Sequence, residues 1–147
     1  MYQEQLTQSL SIAGVPIHPA SYAAGPQNTG GIDLQLFKRA TFLLDVGVFG
    51  GGGTVDMKLQ ESTDNVTFTD LAGTNVAITQ LVAAGGNNRL AGLEVRADQI
   101  TKRYVRAQVN VGVVATFLQC LALGGEAIHK PGNANDIAAV TQRAVVS

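Results

Sequence analysis

The 147 residues amount to about one domain of chain, and a composition 46% hydrophobic and only 14% charged excludes a disordered tail while leaving little charge to cover a monomer's surface. Ten Lys and Arg against eleven Asp and Glu give a net charge of −1, so no bulk field draws in nucleic acid or an anionic membrane. Cys120 is the only cysteine, which excludes an internal disulfide, and with no Trp and 5% aromatics the stacking platforms of many sugar- and single-strand-binding surfaces are missing.

The chain opens on a Gln-, Ser- and Thr-rich stretch, residues 1–12, expected as an N-terminal arm. It lacks the basic start and the apolar core of about 7–15 residues that mark a secretory signal. No apolar run reaches about 18 residues, so the expectation is a protein made in a cytoplasm and outside any membrane.

Period-two alternation then takes over. A weak strand is expected over 31–37 (GIDLQLF) and a clear one in TFLLDVGVF, where Phe42, Leu44, Val46 and Val48 share a face. FGGGGT, residues 49–54, separates it from TVDMKLQES, in which Val55, Met57 and Leu59 oppose Asp56, Lys58 and Gln60. Turn signals at 62–65 (STDN), 72–75 (AGTN) and 83–88 (AAGGNN) bracket weaker strands at 66–71 and 76–79. RLAGLEVRA and RYVRAQVNV alternate cleanly, setting Leu93 and Val95, then Val105, Ala107, Val109 and Val111, on inward faces. Between them RADQITKR offers a short helical turn that Asp98 can cap. TFLQCLAL (116–123) is apolar on both faces and reads as a central strand covered on each side, or on one side by another subunit. Residues 124–147 open with Gly124 and Gly125 and carry the apolar DIAAV and AVVS; they are expected as a C-terminal arm. Short strands at spacings of about 8–12 residues favour an all-β fold, an antiparallel β-sandwich or jelly roll over residues 13–123 with both arms extended, over an open sheet or an α/β layout.

Chemistry-bearing patterns are sparse. Gly50, Gly51, Gly52 and Gly53 precede Thr54 with no Lys and no following helix, so neither a P-loop nor a dinucleotide fingerprint fits; they read as a hairpin loop, or one lying close to another subunit. His18 and His129 sit beside prolines and, with one Cys, form no zinc spacing. Cys120 alternates with Leu118 and Ala122 as a small core residue, and Asp45 lacks a catalytic companion. Arg96, Arg103 and Arg106, with Lys102, form the densest basic cluster, read first as a solvated strand face, next as ion-pair partners for another protein, and last as a nucleic-acid contact. In the C-terminal arm, Ile128, His129, Ile137 and Val140 are candidate contacts to neighbours. NVT at 65–67 matches a glycosylation acceptor by chance. No catalytic, metal or cofactor site is expected.

The text VDMKLQESTDNVTFTDLAG, then RLAGLEVRADQITKRYVRAQVNVG, then LQCLALGGEAIHKP resembles small virion proteins of tailed bacteriophages, the capsid decoration or cement proteins, over roughly residues 40–131. The resemblance implies a jelly-roll-like β fold. It implies binding to the outside of the shell built from the major capsid protein, as dimers or trimers near symmetry axes, with no small-molecule substrate. The alternative is a host-recognition or glycan-binding sandwich of a phage tail or fibre. A small hydrolase ranks last, for want of a His, Cys and carboxylate grouping.

Overall fold

In the computed structural model, which describes residues 5–144, the chain is all-β and antiparallel. After a one-turn helix α1 (Leu6–Ser9) come strands β1 (Ser11–Tyr22), β2 (Gly25–Asn28), β3 (Ile32–Asp33), β4 (Phe37–Val46) and β5 (Thr54–Ser62). They are followed by β6 (Thr69–Asp70), β7 (Ala77–Val82), β8 (Arg89–Arg96), β9 (Tyr104–Gly112) and β10 (Thr116–Ala127). One sheet runs β1-β10-β4-β8. The other has β9 and β5 at its centre, with β2 and β3 along the free side of β9 and β6 and β7 along that of β5.

Inward side chains match across each central pair. Leu118, Cys120 and Ala122 lie opposite Val46, Leu44 and Phe42 in one sheet; Val55, Met57 and Leu59 lie opposite Val111, Val109 and Ala107 in the other. All are buried and join one hydrophobic core, each large aliphatic or aromatic side chain contributing about 1.5–3 kcal/mol by leaving water. Cys120 belongs to this core as expected, and burial pushes its thiol up to about 12, which keeps it protonated and inert.

The sandwich is wider than its sequence suggests at both ends. β1 is an edge strand that pairs only with β10, and its register shifts bracket Pro16 and Pro19, which an edge tolerates because one side of the strand needs no ladder donor. The expected N-terminal arm therefore ends before Ser11; residues 1–4 lie outside the described residues. At the other end, β10 continues through Gly124 and Gly125 to Ala127, so the expected arm boundary at 124 moves to 128. Gly124 is required there by close approach. A Cβ on it would stand 2.6 Å from the Phe37 ring, so this glycine makes room for a core aromatic.

Smaller departures have local causes. The 31–37 stretch breaks after β3 because Asp33 Oδ1 accepts from Gln35 N (2.9 Å) and Leu36 N donates to Asp33 O (3.0 Å). Only Thr69–Asp70 of 66–71 is strand. The preceding turn is built on Asp64, whose carboxylate accepts from Thr67 N, Val66 N and Ser62 Oγ, holding its pKa far below the usual carboxylate range. Val48 leaves the inward face once β4 ends at Val46, and is exposed. Ala97–Gln99 forms a 3-10 turn, but Asp98 lies inside it and pairs with Arg96 (3.1 Å) instead of capping.

Candidate interface at the uncharged end of the sandwich

Four connections converge at one end: residues 23–24, 47–53, 83–88 and 113–115. Backbone hydrogen bonds hold them together, from Asn88 N to Gly47 O (2.9 Å), Ala83 N to Gly53 O (3.2 Å) and Phe117 N to Val48 O (3.1 Å). Phe49 anchors the longest loop by burying its ring, and its N–H donates to Asn87 Oδ1 (3.0 Å). Not one Asp, Glu, Lys, Arg or His occurs in these four connections. Charged side chains flank them: the Arg89 guanidinium lies against Gly85, and Asp45 lines a shallow depression with Gly47, Asn88 and Phe117.

The opposite end carries the charge. Asp33, Arg39, Glu61, Asp64, Asp70, Glu94, Arg96, Asp98, Lys102, Arg103, Arg106 and Glu126 all lie at strand termini or loops there. Several of them pair: Arg39 donates to Glu94 and Glu126 (2.7 Å each), Arg103 to Asp33 and Arg96 to Asp98, and mid-strand Lys58 reaches Asp70 (2.7 Å).

Several large apolar side chains are exposed at the uncharged end, while Val66 and Ile128 are exposed elsewhere. Val113 is 76% exposed, Leu90 79%, Val48 58% and Phe117 54%, and Leu43 continues the surface up the outer face of β4, opposite Leu121. Val113 also sits at φ +69°, a left-handed backbone that strains a β-branched residue by about 1–2 kcal/mol. A valine so exposed gains little from burial to offset that strain, and such outliers collect at functional surfaces. An end without charge also has little desolvation to overcome on contact, as the depletion of charge at interface cores reflects.

The glycine run belongs to this end, and its members divide. Gly50 and Gly53 pack within the chain: a Cβ on Gly50 would meet Ala115 O at 2.6 Å, and Gly53 N closes a turn onto Gly50 O (2.8 Å). Gly51 and Gly52 form the exposed tip with open space around them, and Gly52 adopts φ +76°. Gly51→Val should therefore leave thermal stability unchanged, whereas Gly52→Val should cost about 1–2 kcal/mol through backbone strain; equal melting temperatures would contradict this loop conformation.

The basic cluster does not assemble. Arg96 ends β8 in one sheet, while Arg103 and Arg106 lie at the start of β9 in the other. Arg103 forks onto Asp33 through Nε (2.9 Å) and Nη2 (2.6 Å), which holds the Asp33 carboxyl below its ordinary value. Arg106 stacks 4.0 Å over the Phe68 ring and donates to Gln60 (2.9 Å), and Lys102 donates to Thr69. These cations are engaged inside the chain. Asp45 accepts from Gln119 Nε2 (3.1 Å). His18 is exposed, and its carbonyl accepts the Tyr22 hydroxyl. Ile128 and His129 are exposed just past β10, whereas Ile137 and Val140 are half-buried in the tail that follows. No cluster of His, Cys, Asp and Glu able to hold a metal occurs among the described residues.

Glu61 was not singled out by its sequence. Its signal is phase: it follows Leu59 on the inward face of β5, where a carboxylate must be satisfied. It is 7% exposed and accepts from Thr101 N (2.9 Å), Thr101 Oγ1 (2.9 Å) and Lys102 N (3.2 Å), so it pins the β8–β9 connection.

No family model matches the chain, and no curated protein matches it. Among solved structures it is similar to a subunit of the T13 viral particle of infectious bursal disease virus, at 11% identity and a TM-score of 0.52, over 86% of this chain and 33% of that one. It also matches the SPBc2 prophage-derived protein YomS (13% identity, TM-score 0.39, 75% and 96% covered) and a CBM4 domain (13%, 0.41, 68% and 59%). The last two superpose too loosely to carry an argument. The chain spans about a third of the length of the bursal disease virus chains it matches. At this identity the likeness to the viral-particle subunit bears on the fold alone, a β-sandwich.

Proposed function

We propose that this protein is a structural virion component that binds the outer surface of a phage head shell built from the major capsid protein and reinforces it, without catalysis or cofactor. The observation that carries this is the segregation of charge: one end of the sandwich is internally ion-paired, and the other is uncharged, apolar and exposed at Val48, Leu90, Val113 and Phe117. The resemblance of residues 40–131 to capsid decoration proteins and the fold shared with a viral-particle subunit support it. A small module in many copies gains strength by repetition, as a dimer or trimer near a symmetry axis, with neither nucleic acid nor membrane as partner. Purified protein mixed with undecorated shells should co-sediment at a fixed stoichiometry that saturates; absence of co-sedimentation at micromolar protein defeats the reading.

The second reading, a glycan-binding module of a tail or fibre, has one observation in its favour. The outer face of the β9–β5 sheet holds a shallow depression of about 420 Å³ where Asp56, Lys58, Gln108 and Asn110 set polar groups beside a mainly apolar lining that includes Ala77 and Ile78. No aromatic lines it, which leaves a sugar ring nothing to stack on. Reproducible hits on a glycan array would favour this reading.

A further inference from the structure

The core closes at Ala127, and the chain goes on. Residues 128–131 are exposed and run over the surface, with Ile128 N donating to Leu36 O (2.9 Å). The tail then seats on the start of the chain. Gly132 is buried against α1, where a Cβ would lie 3.1 Å from Gln8 O.

A single carboxylate organises the seat. Asp136 accepts from Ser11 Oγ (3.0 Å), Ile12 N (2.9 Å) and the Arg143 guanidinium (2.9 Å to Oδ1, 2.8 Å to Oδ2). Ile137 N in turn donates to Ile12 O (2.9 Å). Both backbone groups of Ile12, on an edge strand, are thus taken by the tail. The clasp is well shielded: Ser11 is fully buried, and the Asp136 and Arg143 side chains are 13% and 20% exposed. Charge-assisted bonds so shielded are among the stronger polar contacts a surface makes.

This seat is an interface already built, complementary in shape and charge, whose two sides are joined only by an exposed connector. The core gains no fully buried hydrophobic side chain from residues 128–144. The tail is therefore separable from the sandwich. Which copy of the chain supplies it is then a matter of local concentration: a short connector gives its own tail an effective concentration on the order of millimolar, and a second copy competes once it approaches that concentration. We propose that the Asp136 clasp is exchangeable, the tail of one copy seating on the Ser11–Ile12 edge of a second copy and so tying copies together. Exchange of an identical element creates no new contact and is a low-cost route to oligomers. It needs only a second copy and does not rest on shell binding.

The test uses full-length chains with cysteines at the two ends of one backbone hydrogen bond. Cys120, buried and protonated, does not compete. With Ile12→Cys and Ile137→Cys in the same chain, mild oxidation in dilute solution should close an intrachain disulfide; failure to close overturns the clasp itself. Ile12→Cys and Ile137→Cys in separate chains, mixed at millimolar concentration, should give a 12–137 interchain dimer in at least tenfold excess over the homodimers of either variant alone, identified by the mass of the linked peptides. Adding Asp136→Ala to the Ile137→Cys chain should lower that yield at least tenfold. A double variant that closes, with a mixture that gives no excess, overturns the exchange.

Discussion

Val113→Asp and Phe117→Asp, made together, should abolish co-sedimentation with undecorated shells while the protein stays folded. Both side chains stand largely in water in the free protein, at 76% and 54% exposure, so an aspartate there leaves no buried charge before binding. At residue 113 the aspartate also tolerates the left-handed backbone better than valine does. On contact each carboxylate would be desolvated without a partner, at about 2 kcal/mol or more per site, so the pair should weaken binding roughly 10³-fold. Val66→Asp is the control: Val66 is 80% exposed at the charged end, and its substitution should leave binding within about threefold. Equal losses from Val66→Asp and from the double variant would remove the uncharged end from the account.

Glu61→Ala should be among the most destabilising single polar substitutions in the chain, at about 2–4 kcal/mol, or a fall of roughly 4–16 °C in Tm. Three donors lose their acceptor at once, and two of them are backbone N–H groups that hold residues 101–102 beside the end of β5. Glu61→Gln keeps one carbonyl oxygen as acceptor and should lose about half as much. Asp45→Ala, by contrast, removes a half-buried carboxylate that takes one amide donor from Gln119 and should change Tm by less than about 3 °C. Thermal unfolding of the three variants checks the ranking, and a Glu61→Ala protein as stable as Asp45→Ala would contradict the anchoring role.

The strands that alternate cleanly were legible because their period-two pattern meets no competing signal: the inward phases of β5, β8 and β9 are those of Val55, Leu93 and Val105. β10, apolar on both faces, is interior to its sheet as expected, but nothing among the described residues covers its outer face at Phe117. β1 was not, because Pro16 and Pro19 argue against a strand unless it is known to be an edge, and edge position is a property of the whole sheet. Gly124 and Gly125 look like a chain break for a related reason: nothing in the sequence says that Phe37 needs the space above Gly124. Arg96 and Arg103 are seven positions apart, yet the turn at Ala97–Gln99 carries the chain from one sheet to the other and separates them. The candidate interface lay in plain text as four uncharged connections. Their convergence follows only from strand register, which brings Tyr22 to Thr116 and Gly47 to Phe117.

The central claim is that the uncharged end meets the partner. Hydrogen–deuterium exchange of the free and shell-bound protein tests it most directly, since both ends carry exchangeable loops. Binding should protect residues 47–53, 83–88 and 112–117 and leave 63–68 and 97–103 unchanged. Protection confined to 63–68 and 97–103 would contradict it.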